Sequence, residues 1–363
     1  MNNKSKAFLE KFLNTPSPSG FEAQASQMFR EYLKPYADKI NRDVHGNSAA
    51  ILNPEKKLKV LIEGHIDEIG MMIKYIDDKG FASVGSVGGM DSRIMLAQRV
   101  KVITRSGIVK GVIGKKPIHL MDADEVKDEV KFEDLWLDIG AKDKKDALKL
   151  IAVGDAIVVD ADFQMLQNGM FTARGCDDKL GVFVAAEVFK TLAKKKLDFC
   201  LIAAATVQEE IGTRGAITAA YSINPDVAIS FEVGHSSDYP TMTPQKHRDI
   251  KINAGPILHK GCNINPVLGQ GLVDTAIANK IDYQLRAEPG ATPTNARAIQ
   301  LSRGGVATAL IRIPNRYMHS PVEICSFDDI EACIDLTVKY LSKLQADTDF
   351  CPGTDCTDME IAD

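Results

Sequence analysis

Histidine and carboxylate side chains are concentrated at four points of the 363-residue sequence, each shortly after an apolar run typical of a β-strand. The four segments are Glu63–Glu68, Val207–Gly212, Phe231–His235 and Arg316–Pro321. In an open α/β sheet, ligands bind beyond the carboxyl ends of the strands, so the side chains of these segments can converge on one crevice. Imidazole and carboxylate groups together form a ligand set that suits Zn²⁺, Co²⁺ or Mn²⁺. The sequence therefore predicts a metal site.

The number of available ligands favours two metal ions. A fifth segment, Gly175–Asp178, adds two further carboxylates, and one tetrahedral ion does not need so many protein ligands. Two ions that share a bridging carboxylate would use them. Asp67, two residues after His65, is placed to hold the second nitrogen of that imidazole. Of the neighbours Glu209 and Glu210, one can bind metal while the other faces a bound water as general base.

Other local motifs are missing or carry less weight. The sequence contains no HExxH, no GxxxxGK[ST] and no GxSxG, which argues against the zincin, P-loop and α/β-hydrolase sites. Cys176 has no general base near it in sequence and is predicted to be a buried structural thiol. His45, His247 and His259 have no clear company and are predicted to lie at the surface or to act locally.

The elements that must position the candidate ligands alternate between helix and strand after Arg174. Apolar spacing predicts a helix over 178–192, strands over 199–207, 227–231 and 307–313, and a last helix from Ser326. Alternation of this kind predicts an α/β fold, with a sheet covered by helices on both faces.

The middle of the chain differs from the rest. Between residues 70 and 167 the sequence consists of short β-like runs broken by glycine, typical of a β-rich domain inserted into the α/β domain. The catalytic domain would then be discontinuous and comprise residues 1–69 and 168–345. Residues 346–363 are predicted to be a flexible acidic tail.

The composition excludes several classes of function. Hydrophobic residues make up 45% and charged residues 26% of the chain, and the net charge is −5, so we expect no binding to nucleic acid or to anionic membranes. No apolar run approaches the ~18–20 residues that span a bilayer. Seven cysteines without a CxxC pair are typical of free thiols in a reducing compartment, and we expect a cytoplasmic protein.

The chain resembles the M42 family of metallo-aminopeptidases, which includes glutamyl aminopeptidases and tetrahedral aminopeptidases. The resemblance runs over nearly the whole sequence, in matching order and spacing. It is carried by the segments Thr15–Gly20, His65–Gly70, Gly88–Asp91, Gly111–Leu120, Asp138–Ala141, Gly154–Asp155, Asp177–Gly181, Gln208–Gly212, Arg214–Gly215 and His319–Pro321.

The resemblance implies a zinc-peptidase-like mixed sheet with an inserted β-barrel-like oligomerisation domain. It implies two divalent ions per subunit, Zn²⁺ or Co²⁺, and peptide substrates with a free N-terminus. It also implies a homo-oligomer, with a tetrahedral dodecamer as one form. By the family pattern one ion is held by His65 and Glu232, the other by Glu210 and His319, with Asp177 as bridge and Glu209 as general base.

One position departs from the family pattern, and three other functions stay open. Most relatives carry aspartate where Glu232 stands, and the extra methylene lets its carboxylate reach further or bind through both oxygens. An M20-like deacylase or carboxypeptidase would use the same chemistry. A glycoside hydrolase (endoglucanase) needs two carboxyls ~5–10 Å apart across a sugar and no metal. A non-catalytic metal-binding scaffold is the third alternative. The preferred N-terminal residue also stays open, since an acidic one would need Lys or Arg in its pocket.

Overall fold

The structure is a computed structural model that describes residues 1–123 and 128–353. The helices are Asn3–Asn14 (α1), Ala23–Leu33 (α2), Ser92–Met95 (α3), Lys144–Ala147 (α4), Cys176–Leu192 (α5), Arg214–Ile223 (α6), Pro244–His247 (α7), Pro266–Asn279 (α8), Asn295–Gln300 (α9) and Phe327–Leu341 (α10). The strands are Lys39–Arg42 (β1), Ser48–Leu52 (β2), Lys59–His65 (β3), Gly70–Ile76 (β4), Ala82–Val87 (β5), Arg99–Thr104 (β6), Gly107–Gly114 (β7), Trp136–Asp138 (β8), Ala156–Val159 (β9), Gln164–Met165 (β10), Met170–Ala173 (β11), Cys200–Thr206 (β12), Val227–His235 (β13), Ile257–Gly261 (β14), Gln284–Glu288 (β15), Ala307–Asn315 (β16) and Glu323–Ser326 (β17).

The main sheet has eight strands in the order β1-β2-β12-β3-β13-β16-β14-β15. Strands β12, β3, β13 and β16 are parallel neighbours, so their carboxyl ends lie at the same edge. Both faces of these strands are covered, which explains why their sequences are continuous apolar runs rather than alternating ones. The predicted mixed sheet is confirmed, and its shared edge is where a ligand site is expected.

Helices cover the main sheet on both faces, as the alternating pattern predicts. On one face the apolar helix α5 packs against β3, β12 and β13, with α1, α2 and α10 around it. On the other face α6 and α9 bury Ala216, Ala220 and Ile299 against the sheet residues Leu61 and Ala228. The first turn of α5 therefore lies beside the ends of β3 and β13.

Glycines let α5 approach β3 without an intervening side chain. A Cβ atom at Gly64 would lie 2.5 Å from the backbone nitrogen of Val182 and 2.8 Å from Oδ2 of Asp178. A Cβ atom at Gly181 would lie 2.3 Å from the same Asp178 oxygen. Real Cβ atoms do not come that close to backbone atoms, so residue 64 must be glycine. A Cβ atom at position 181 would instead displace the Asp178 carboxylate, which accepts the N–H of His65. The close contact brings the start of α5 onto the end of β3, next to His65.

The β-rich insertion is a closed barrel of six strands in the order β4-β5-β8-β7-β6-β9. Its strands lie between Gly70 and Val159, and it has its own apolar core, which includes Met71, Val102 and Ile157. The barrel confirms the predicted inserted β-barrel-like unit. Strand β10, within the range 70–167, lies outside the barrel and pairs with β11, which pairs with β17. The barrel begins directly after the segment that carries His65, so it stands next to the shared edge of the main sheet.

The predicted tail falls partly inside the described residues. Phe350 packs against the main core, and its carbonyl oxygen accepts a hydrogen bond of 2.8 Å from Nδ2 of Asn265. Residues 354–363 of the tail, with Cys356, lie outside the described residues. Among the described residues, none of the helices has the length and apolar character needed to cross a bilayer.

Candidate metal centre and active site

The structure brings together the five predicted ligands, which are far apart in sequence. His65 is the last residue of β3, Glu232 lies in β13, and Asp177 lies in the first turn of α5. Glu210 lies in the loop after β12, and His319 lies in the loop between β16 and β17. All five lie at the edge where the parallel strands end, as the sheet rule predicts.

Asp177 lies between the two imidazoles. Its Oδ1 is 3.1 Å from Nε2 of His65, and its Oδ2 is 3.3 Å from Nε2 of His319. Each imidazole nitrogen also faces a second carboxylate: Oε1 of Glu232 is 3.4 Å from His65, and Oε1 of Glu210 is 3.3 Å from His319. The result is a symmetrical arrangement in which one carboxylate is shared and each imidazole has one further carboxylate of its own.

These side chains have the composition and spacing of a divalent metal site. Among the described residues, ligand atoms of His65, Asp177 and Glu210 lie within 4.8 Å of one another, and so do those of His65, Asp178 and Glu232. In addition, Oε1 of Glu210 is buried and has no hydrogen-bond partner of good geometry among the described residues, although Nε2 of His319 lies 3.3 Å away. Buried carboxylate oxygens are normally paired, so an oxygen left unpaired beside an imidazole is suited to bind a divalent cation.

Asp67 plays a wider role than the predicted one. Nδ1 of His65 lies 3.0 Å from the backbone carbonyl oxygen of Asp67 and 3.4 Å from its Oδ1, so the carbonyl is the nearer partner of the ring. The Asp67 carboxylate accepts the backbone N–H groups of Glu209 at 2.9 Å and Glu210 at 3.1 Å, and the hydroxyl of Ser19 at 2.6 Å. Asp67 therefore fixes the orientation of His65 and the course of the Glu209–Glu210 loop together.

Glu209 lies next to the ligand cluster. Burial raises the pKa of Glu209 to about 7; the charge of His65 opposes this, while the carboxylates of Glu210, Asp177 and Asp67 add to it. Its carboxylate accepts no hydrogen bond from the described residues, in contrast to Asp67. Glu209 is therefore free to exchange a proton with a molecule bound at the centre.

The charges at the centre are strongly interdependent. Burial raises the pKa of Glu232 well above its ordinary value, and the Asp177 and Glu209 carboxylates raise it further. Burial lowers the pKa of His319, but the neighbouring carboxylates of Asp177 and Glu210 outweigh burial and raise it to about 11. Protons are thus shared among closely packed carboxylates and imidazoles. Metal ligands must lose such protons, so binding of a divalent cation would release them.

Two buried acids support the centre, and the sequence analysis missed both roles. Glu323, at the start of β17, accepts the backbone N–H groups of Asp177 at 3.3 Å and His319 at 3.1 Å. Asp178 accepts the N–H of His65 at 3.1 Å through Oδ2 and that of Gly181 at 3.0 Å through Oδ1. The pairing of Asp178 with Asp177 was visible in the sequence, but nothing local connects Glu323 with residue 177.

A buried ion-pair network anchors α5 to the end of β3. Glu68 is 2.6 Å from Nη1 of Arg174 and 2.9 Å from Nζ of Lys179, and at most 5% of each of the three side chains is exposed. The backbone N–H of Ser17 donates to the same carboxylate at 2.8 Å. Glu68 therefore joins the segment after His65 to both sides of Asp177.

His259 was predicted to lie at the surface or to act locally, but the structure places it in the interior. Only 2% of His259 is exposed, because it lies in β14, an interior strand of the main sheet. The predicted surface position is wrong, since sequence context does not show which strands flank a residue. Cys176 is a free, buried thiol, as predicted.

Comparison with known proteins agrees with the fold and shows the family. The family model described as M42 glutamyl aminopeptidase matches residues 46–336. A lysyl aminopeptidase from Pyrococcus furiosus is 31% identical over 95% of this chain and 98% of its own. Among solved structures, a TET aminopeptidase from a marine sediment Thaumarchaeota archaeon has a TM-score of 0.90 at 33% identity, covering 94% of this chain and 97% of its own. The Pyrococcus horikoshii TET1 peptidase, which assembles into a tetrahedron or a large octahedral shell, has a TM-score of 0.83 at 30% identity, covering 94% and 100%.

The fold and the ligand cluster define a metal-dependent aminopeptidase, a hydrolase that acts on peptide bonds from the chain end. The chain belongs to the M42 peptidase family. The family description names a glutamyl aminopeptidase, whereas the Pyrococcus furiosus relative is a lysyl aminopeptidase. Side chains of opposite charge are therefore accepted within the family, and membership alone does not fix the specificity of this protein.

Proposed function

We propose that this protein removes N-terminal residues from peptides with a free N-terminus, using two divalent metal ions and Glu209 as general base. The observation that carries the proposal is the position of Asp177, with one carboxylate oxygen next to His65 and the other next to His319. A carboxylate so placed can bridge two ions. His65 and Glu232 would complete one site, and Glu210 and His319 the other.

The proposed ligands suit the metal-assisted hydrolysis of a peptide bond. When bound, two such cations lower the pKa of a water molecule and polarise the carbonyl of the scissile bond. Glu209 takes the proton of the attacking water and returns it to the nitrogen of the leaving amine. The contact between its backbone N–H and Asp67 keeps the Glu209 side chain beside the centre during both transfers. His65 is held by the Asp67 carbonyl, so its Nε2 stays directed at the ligand cluster.

The proposal also covers the identity of the metal ions, the domains and the assembly. Mixed imidazole and carboxylate sites suit Zn²⁺ or Co²⁺, and we propose one of these as the natural ion. We propose the catalytic domain as residues 1–69 and 168–345, and residues 70–167 as an oligomerisation domain. The assembly of the Pyrococcus horikoshii relative into a tetrahedron supports a homo-oligomer, with a tetrahedral dodecamer as the proposed form. We also propose a cytoplasmic location.

The test is hydrolysis of aminoacyl-p-nitroanilides of Glu, Leu and Lys before and after metal removal by a chelator, with Zn²⁺ or Co²⁺ then restored. We expect release that disappears with the chelator and returns with the metal. Glu209→Gln should keep two ions per subunit but lower kcat by at least ~10²-fold, the scale of general-base loss. Glu10→Gln, an exposed position in α1, is the matched control and should not change kcat.

Three outcomes would contradict the proposal. Turnover by Glu209→Gln near that of the natural protein would remove Glu209 from its role. No hydrolysis of any free-amine substrate, with metals bound, would favour an M20-like deacylase or carboxypeptidase. N-acylated amino acids and peptides with a free carboxylate would then be the next substrates. Hydrolysis of a β-glucan unaffected by chelator would favour the glycoside hydrolase.

A further inference from the structure

The two proposed metal positions differ in how firmly the fold holds their ligands. His65 and Glu232 lie in the strands β3 and β13, and their side chains are almost completely buried. Glu210 and His319 lie in loops, and 35% of the His319 side chain is exposed. Ligands on strands are placed more precisely than ligands on loops. The position next to His319 therefore depends more on the contacts that hold its loop.

The loop that carries His319 has an unusual backbone. Residues 316–322 connect β16 to β17. Tyr317 and His319 both have a φ of 61°, in the left-handed region that residues other than glycine rarely adopt. Such conformations persist only where the surrounding structure fixes them. The course of this loop is therefore set by its contacts and not by the preference of its own backbone.

An ion pair joins this loop to the segment that follows β13. Nε and Nη2 of Arg316 donate to the two carboxylate oxygens of Asp238, at 2.8 Å and 2.6 Å. A guanidinium that contacts a carboxylate through two parallel hydrogen bonds fixes the relative position of both residues. The pair therefore fixes the start of the His319 loop relative to β13, the strand that carries Glu232.

Both partners of the ion pair are themselves held in place. The backbone N–H of Arg316 donates to the carbonyl oxygen of Ile324, and the N–H of Ile324 donates back to that of Arg316, both at 3.0 Å. Oδ2 of Asp238 also accepts the backbone N–H of Ile252 at 3.0 Å. Burial raises the pKa of Asp238, but the hydrogen bonds from Arg316 and from the Ile252 N–H outweigh burial and lower it. The pair is therefore charged at neutral pH.

Two other contacts hold His319 directly. The Glu323 carboxylate accepts its backbone N–H at 3.1 Å, and the carbonyl oxygen of Gly89 lies 2.7 Å from its Nδ1. Both act at residue 319 itself. The Arg316–Asp238 pair acts elsewhere, at the point where the loop leaves β16.

We propose that Arg316 and Asp238 are positioning residues for one of the two metal ions: their pair holds the loop so that His319 faces the metal centre. This inference rests on the proposed function and extends it to two residues outside the ligand set. Loss of the pair should weaken the binding of the ion at His319. The ion at His65 should be unaffected, because its ligands lie within strands of the main sheet.

The test is to equilibrate the full-length protein with a series of buffered free Zn²⁺ concentrations and to count the bound zinc by metal analysis. We expect the natural protein to bind two ions per subunit. Arg316→Met should weaken the binding of one ion by at least ~10-fold, the scale for groups that orient a metal ligand, and change that of the other by less than ~3-fold. In a His319→Ala background, the same substitution should not change the affinity for the remaining ion.

Three further variants separate the ion pair from a general loss of stability. Arg316→Lys keeps the charge but not the two parallel hydrogen bonds, so its affinity should fall between those of the natural protein and Arg316→Met. Asp238→Asn should weaken the same ion, and combining it with Arg316→Met should add little, since either change alone already breaks the pair. Lys339→Met in α10 removes a partly exposed cation that pairs with Asp335, and this control should change neither affinity.

Turnover gives a second readout. At a metal concentration that saturates the natural protein, kcat of Arg316→Met on the aminoacyl-p-nitroanilides should be low. Higher Zn²⁺ or Co²⁺ should restore it to within ~3-fold of the natural value, because the change acts through the affinity for the metal. A variant with a damaged fold would not recover in this way. If Arg316→Met does not fold, Arg316→Lys and Asp238→Asn decide the question.

Unchanged affinity for both ions in Arg316→Met would overturn the inference. An equal loss at both ions, or a further loss in the His319→Ala background, would also overturn it and assign the pair a purely structural role. These results would leave the proposed function intact. Binding of a single ion by the natural protein, or failure to hydrolyse any anilide, would instead count against the proposed function.

Discussion

Replacing Glu68 by glutamine is expected to destabilise the folded protein by about 3–5 kcal/mol, the range for breaking a buried ion pair. The change keeps the size of the side chain but removes the negative charge that faces Arg174 and Lys179. Both cations are almost completely buried, at 5% and 0% exposure, and lie 2.6 Å and 2.9 Å from the carboxylate. Without it, two positive charges would remain in the interior beside a neutral amide.

The pH dependence of stability gives a second value for the free energy that the ion pairs of Glu68 contribute to folding. Burial alone would raise the pKa of Glu68, but the charges of Arg174 and Lys179 outweigh burial and lower it from 4.5 to about 2. That difference, at about 1.4 kcal/mol per pH unit, corresponds to about 3 kcal/mol. Because the pKa is lower in the folded state, this stability is present above pH 4.5 and is lost as the pH falls towards 2. The Glu68→Gln variant should lack this component.

The assay is urea unfolding followed by far-UV circular dichroism, at neutral pH and at several acidic pH values, with the same metal content throughout. Glu31→Gln in α2 is the matched control, because Glu31 is exposed and accepts a hydrogen bond only from the exposed side chain of Gln27 among the described residues. We expect the free energy of unfolding of the control to lie within about 0.5 kcal/mol of that of the natural protein. A Glu68→Gln variant that unfolds like the control at neutral pH would refute the reasoning, since the two cations would then not depend on the carboxylate.

Three further predictions concern the site. Asp177→Asn should weaken the binding of both metal ions together, as measured by metal analysis, because a bridging ligand contacts both. Asp67→Asn should keep the ligands but lower activity by ~10- to 100-fold, since it disturbs the support of His65 and of the Glu209 loop. Gly64→Ala should destabilise the fold by about 1–3 kcal/mol in thermal or urea unfolding, because the new methyl would meet the backbone of α5 at 2.5 Å.

Each of these predictions has a clear contradicting result. Loss of a single ion in Asp177→Asn would show that Asp177 does not bridge. Unchanged kcat in Asp67→Asn, at unchanged metal content, would show that its hydrogen bonds to the Glu209–Glu210 backbone are dispensable. If Gly64→Ala has the same free energy of unfolding as the natural protein, α5 can move away from β3. Gly290→Ala is the control for Gly64→Ala, because a Cβ atom at residue 290 would meet no atom within 4 Å among the described residues.

The sequence by itself determined which elements form and which residue types end them. Continuous apolar runs predict the buried strands of the main sheet, and the structure has them at Cys200–Thr206, Val227–His235 and Ala307–Asn315. The last helix begins at Phe327, one residue after the predicted start, and Ser326 caps it, since its side chain accepts the N–H of Asp328. Such features are local: they depend on burial of a face, on spacing and on residues within one helical turn. The sheet rule then suffices to bring the predicted ligands to one edge.

Tertiary structure decided which partner each polar side chain takes. Asp329 completes a capping-box-like pattern with Ser326 in the sequence, yet its carboxylate accepts the backbone N–H groups of Asn253 and Gly255, each at 2.8 Å. Asp67 was expected to serve His65, but its carboxylate mainly holds the backbone of residues 209 and 210. His259 lies beside Arg286 because β14 pairs with β15 in the main sheet, with β16 on its other side. Hydrogen bonds and charges act through space over a few ångströms, and residues at such distances can be a hundred or more positions apart in the chain, where no local pattern records them.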